Sequence, residues 1–107
     1  MTHSQLKRII LIRYGSDPRC RIFNCPTGVY YTDTGIPVKV GVKGQADILG
    51  IRCDGIFLAI EVKAGHDRLR PEQQSYRDMV LKFGGRWVEA RTPEDVEKVF
   101  DDLKKII

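Results

Sequence analysis

The chain has 107 residues, 42% of them apolar, with 18 Lys and Arg against 14 Asp and Glu, a net charge of +4 and an isoelectric point near 9.1. That length suits a single domain, 1–107, with a modest core, and the basic balance points to an anionic partner. No apolar run approaches the roughly 18 residues of a membrane span and no secretory signal is visible. The three cysteines lack C-x-x-C spacing, which argues against a disulfide framework or a zinc site and for reduced thiols in a cytoplasm.

The first expected element is a helix over residues 4–14, with Leu6, Ile9, Ile10 and Arg13 on one stripe and Gly15 and Asp17-Pro18 as stops. The short apolar run from Ile9 to Ile12 also leaves a strand open there. Residues 21–24 read as a strand, Pro26-Thr27-Gly28 as a turn, and 29–31 with 36–40 as a hairpin around Thr34-Gly35. Strands at 46–51 and 56–62 flank the hairpin signal Asp54-Gly55. Pro71 is placed as the first residue of a helix; Tyr76, Met79, Val80 and Phe83 recur at helical spacing until Gly84-Gly85 ends it. A strand at 86–90 follows, then a last helix with Thr92 as N-cap, Pro93 at its first position and Asp95 completing the capping pattern. Val96, Val99, Phe100 and Leu103 give that helix an apolar face.

This order fits an α/β fold, a mixed sheet flanked by helices. Strand 57–63, helix 71–83 and strand 86–90 form a right-handed crossover that sets the two strands parallel.

Period two then brings chemistry together. With a three-residue loop, Cys53 to Gly55, Asp47 lies opposite Glu61, where Cβ atoms are roughly 4.5–5.5 Å apart. Lys63 shares that face, while Leu58, Ile60 and Val62 take the other. Opposed carboxylates repel, and a divalent cation with oxygen ligands, Mg²⁺ or Mn²⁺, relieves the repulsion. The plainer reading is a solvated sheet face on which Lys63 pairs with Glu61, and a two-residue loop would instead set Val62 opposite Asp47. Gln73 lies three residues before Tyr76, at the edge of the helix's buried stripe, where a glutamine is commonly structural. His66, just after the second strand, reads as an incidental loop histidine.

The run from Lys43 to Arg91, reading KGQADILGI, FLAIEVKAGHDRLRPEQQSY and LKFGGRWVEAR, resembles the VRR-NUC (virus-type replication-repair nuclease) family of the PD-(D/E)XK superfamily, in its stand-alone phage or bacterial form. The resemblance implies a restriction-endonuclease-like fold. It carries the family's GxxD acid onto Asp47, its E-x-K onto Glu61 and Lys63, and its glutamine onto Gln73. It further implies that Asp47, Glu61 and the Val62 carbonyl hold Mg²⁺ or Mn²⁺, that Lys63 orients or helps deprotonate the attacking water, and that Gln73 positions Lys63 or the phosphate.

The implied activity is metal-dependent, structure-selective DNA endonuclease chemistry of the Holliday-junction-resolvase kind. It would act as a homodimer on a four-way junction or flap, in the host cytoplasm if phage-encoded, with no membrane involved. Members of the superfamily usually carry a further acid on the first helix, and the corresponding position here holds Ser4 or Gln5; the first acid in the chain is Asp17. The expectation is a site with fewer ligands, or one that borrows Asp33 or Glu72. The alternative function is a non-catalytic module that binds branched DNA on a nuclease fold.

Overall fold

Thr2 and Gln5 begin the first helix with a reciprocal cap. Thr2 Oγ1 accepts from the Gln5 N–H at 3.1 Å and Gln5 Oε1 accepts from the Thr2 N–H at 2.8 Å, satisfying donors the helix itself leaves free. The resulting helix α1 spans His3–Gly15 in the computed structural model, which describes residues 1–26 and 28–103. The strand alternative at Ile9 to Ile12 is therefore not taken. The buried residues are Leu6, Ile10 and Tyr14, one every fourth position. Arg13, expected on that stripe, is exposed and pairs with Glu94 at 3.1 Å, while Tyr14 buries its ring and donates to Glu97 at 2.6 Å.

Four strands form the central sheet: β1 Cys20–Asn24, β4 Ile48–Arg52, β5 Phe57–Val62 and β6 Arg86–Ala90, in the order β1-β4-β5-β6. The first two pairings are antiparallel and β5 with β6 is parallel, so the sheet is mixed. The strands β2 Gly28–Tyr31 and β3 Pro37–Val40 form a separate two-stranded ribbon, exposed at every residue. The expected turn Pro26-Thr27-Gly28 includes Thr27, which lies outside the described residues.

The β4–β5 turn fixes the register that matters. The Arg52 N–H bonds to the Ile56 carbonyl and the Gly55 N–H to the Arg52 carbonyl, both at 2.8 Å, closing the three-residue loop Cys53 to Gly55. Gly55 has φ +92°, the left-handed conformation such a loop requires at its last residue. The pairs Ile48 with Ile60 and Leu49 with Ala59 follow, so the three-residue register forms and the two-residue alternative does not.

Helices cover both sheet faces. On one face Ile48, Leu58, Ile60, Val62, Val88 and Ala90 pack with Leu6, Ile10 and Tyr14 of α1 and with Val96, Val99 and Phe100. On the other, Ala59 packs with Ala46 and with Tyr76 and Val80 of α2, Pro71–Lys82, flanked by Leu49 and Trp87. The last element, expected as an α-helix, is a 3-10 helix over Pro93–Phe100. Its buried Val96 and Val99 are three apart, the repeat of a three-residue turn. Asp95 caps its start, accepting from the Arg91 and Thr92 N–H groups at 2.8 and 3.0 Å. Among the described residues no helix is long and apolar enough to cross a membrane.

Candidate active site

The face of β5 that carries Glu61 and Lys63 is the face α2 covers. Both side chains are consequently buried, 3% and 7% exposed, as is Gln73 at 5%. The solvated sheet face does not form, and the edge-of-stripe glutamine is an interior residue.

Gln73 is the third residue of α2 and joins the two charges. Its Nε2 donates to Glu61 Oε1 and its Oε1 accepts from Lys63 Nζ, both at 2.8 Å; Oε1 also accepts from the Arg70 N–H at 2.9 Å. Lys63 Nζ lies 3.7 Å from Glu61 Oε1. The other carboxylate oxygen, Glu61 Oε2, is buried and has no hydrogen-bond partner; among the described residues only Trp87 Nε1 shares that condition. Burial, and after it the charge of Asp47, pushes the Glu61 carboxyl up to about 7, against the opposing pull of Lys63 and Arg70.

Asp47 stands one residue before β4, where continuing the register sets it opposite Glu61. Its Oδ2 accepts from the Val62 N–H at 2.9 Å. The Val62 side chain is buried in the α1-side core, so only its main chain is available to this site. The second partner of Asp47 is one the sequence reading missed: His3 Nε2 lies 3.3 Å from Oδ2, with both side chains partly exposed.

On the first helix it is thus His3 that reaches Asp47, while Ser4 is exposed and Gln5 is engaged in the cap. Neither candidate substitute acid is a partner of Asp47 or Glu61 among the described residues: Asp33 sits in the ribbon's turn and Glu72 lies 3.7 Å from Arg70. The pattern Thr2-x-x-Gln5, a capping box, was the available signal, because it starts the helix at His3 rather than at residue 4.

A cleft of about 230 Å³ opens beside this cluster, between the ribbon and the start of α2, with Lys39, Lys43, Gly44, Arg70, Glu72 and Gln73 in its lining. Lys39 and Lys43 form no ion pair among the described residues, whereas Arg13, Arg19, Arg77 and Arg86 are each paired with acids on their own surfaces. Gly44 shapes the cleft floor. It has φ +79°, and a Cβ there would stand 2.0 Å from the Glu72 carbonyl oxygen.

Among the described residues no three His, Cys, Asp or Glu side chains converge as a ready ligand group. Asp47 turns to His3 and Val62 while Glu61 turns to Gln73, so the two opposed acids have different hydrogen-bond partners. The three cysteines are free thiols, and His66 is exposed. Comparison with protein-family models and with curated proteins finds no match for this chain.

Proposed function

We propose that the chain is a metal-dependent endonuclease of restriction-endonuclease-like fold that hydrolyses phosphodiester bonds in branched DNA, a four-way junction above all. The observation that carries this reading is Glu61: a buried carboxylate with one oxygen unpartnered, bound through Gln73 to a buried lysine and opposite a second acid. An orphaned buried carboxylate oxygen is costly for a fold, and such arrangements cluster where chemistry is done.

The donor set fits a small divalent cation. Carboxylate and carbonyl oxygens suit Mg²⁺ and Mn²⁺, and Asp47, Glu61 and the Val62 carbonyl would hold one. When bound, such an ion supplies a more acidic water and neutralises charge on the phosphate. Lys63 Nζ, fixed by Gln73 as an ammonium, would stabilise the charge that develops on the phosphoryl oxygens and orient the attacking water. Lys39, Lys43 and Arg70 bind backbone phosphates along the cleft. A homodimer would match the two-fold symmetry of a four-way junction. Free cysteines are compatible with work in a reducing cytoplasm, of a phage host or a bacterium.

The second reading is a branched-DNA-binding module without turnover, favoured by the absence of a converged three-ligand group among the described residues. Incubation with four-way junction, flap, single-stranded and linear duplex DNA, each with Mg²⁺, Mn²⁺ or EDTA, separates the two. Metal-dependent nicks placed symmetrically across the junction support the nuclease. Nicking of flaps alone points to repair-type cleavage, and binding without any cut supports the module.

A further inference from the structure

The start of the first helix brings an imidazole to Asp47. The Thr2–Gln5 cap fixes the start of α1 and with it the position of His3, whose Nε2 stands 3.3 Å from Asp47 Oδ2. That separation matches what two neighbouring ligands of one ion present: with bonds of roughly 2.0–2.1 Å at right angles, the donor atoms are about 3 Å apart. A second observation points the same way. Glu61, opposite Asp47 and nine-tenths or more buried, offers an oxygen that no protein group satisfies.

We propose that His3 is the third side-chain ligand of a cation held with Asp47 and Glu61, and that its nitrogen biases the site towards Mn²⁺ over Mg²⁺. Imidazole suits transition metals, whereas Mg²⁺ takes oxygen ligands in strict octahedral geometry. The inference rests on the metal-dependent reading above. It differs from a site of carboxylates alone in predicting both a nitrogen ligand and a changed metal preference. The competing role for His3 is a hydrogen bond to Asp47 and nothing more.

Electron spin-echo spectroscopy of the full chain loaded with Mn²⁺ separates these roles without reference to cleavage. The expected result is modulation from a directly bound ¹⁴N nucleus that disappears in His3→Ala and persists in His66→Ala, His66 being the other of the two histidines. Calorimetric titration should show Mn²⁺ binding weakened about tenfold or more by His3→Ala, and preference moved towards Mg²⁺ by His3→Glu. Mn²⁺ bound without ¹⁴N modulation, lost in Glu61→Gln but unchanged in His3→Ala, would overturn the role of His3 and leave the metal-dependent nuclease standing. No Mn²⁺ binding by the wild-type chain would overturn both.

Discussion

Glu61 and Lys63 lie 3.7 Å apart, yet each hydrogen-bonds to a different end of one amide, that of Gln73. The amide therefore sets the distance between carboxylate and ammonium and holds both beneath α2. Replacing it removes a donor and an acceptor at once and leaves two buried charges short of partners.

Gln73→Ala should accordingly destabilise the fold by about 1–3 kcal/mol and reduce cleavage, as read by urea unfolding and by a nicking assay on the same preparation. A variant as stable and as active as the parent would mean that the bridge positions nothing.

The metal-free protein should lose stability as pH rises through weakly acid values. Glu61 titrates at about 7 in the fold against an ordinary value of 4.5, so between those values the folded chain binds more protons than the unfolded one. The contribution of this residue is most favourable below about pH 4.5, declines to about pH 7 and then levels. Glu61→Gln should flatten that decline and raise metal-free stability at pH 8 by up to about 3 kcal/mol. Urea melts at pH 4.5, 6 and 8 measure it, and equal slopes for both proteins would contradict the buried setting of this carboxyl.

Lys39→Ala and Lys43→Ala should each weaken junction binding across DNA sequences and reduce the slope of log affinity against log salt by about one. Fluorescence anisotropy at several salt concentrations gives the slopes. Unchanged slopes would place the DNA backbone outside the cleft beside Gln73.

Gly44→Ala tests the cleft floor. A Cβ 2.0 Å from the Glu72 carbonyl, on a backbone at φ +79°, forces the loop and the first turn of α2 apart. The expected cost is about 1–3 kcal/mol in thermal or urea unfolding, with a loss of cleavage because Gln73 sits on that same turn. A melting temperature equal to the parent's would show that the contact relaxes freely.

Much of this arrangement was legible in the residues themselves. Asp54-Gly55 specified the hairpin, and the left-handed Gly55 closes the loop that sets Asp47 opposite Glu61. Pro71 and the spacing of Tyr76 and Val80 specified α2, whereas Met79 and Phe83, expected on the same stripe, are 40% and 79% exposed, the latter beyond the helix end at Lys82. Burial of Glu61 and Lys63 was not legible, because alternation tells which residues share a sheet face and not what covers that face. The 3-10 helix was not legible, because apolar positions three and four apart serve both helix types over two turns, as Val96, Val99 and Phe100 do. The role of His3 was not legible, because its neighbour Asp47 lies 44 positions away in the chain and nothing local to the helix start points to that contact.

Cleavage of a labelled four-way junction by the wild-type chain, Glu61→Gln and Lys63→Ala, with junction binding recorded on the same samples, tests the nuclease assignment most directly. The predicted result is Mg²⁺- or Mn²⁺-dependent nicking by the wild type that falls about a hundredfold or more in each variant while binding is kept. Cleavage retained by both variants, or persisting in EDTA, would contradict it.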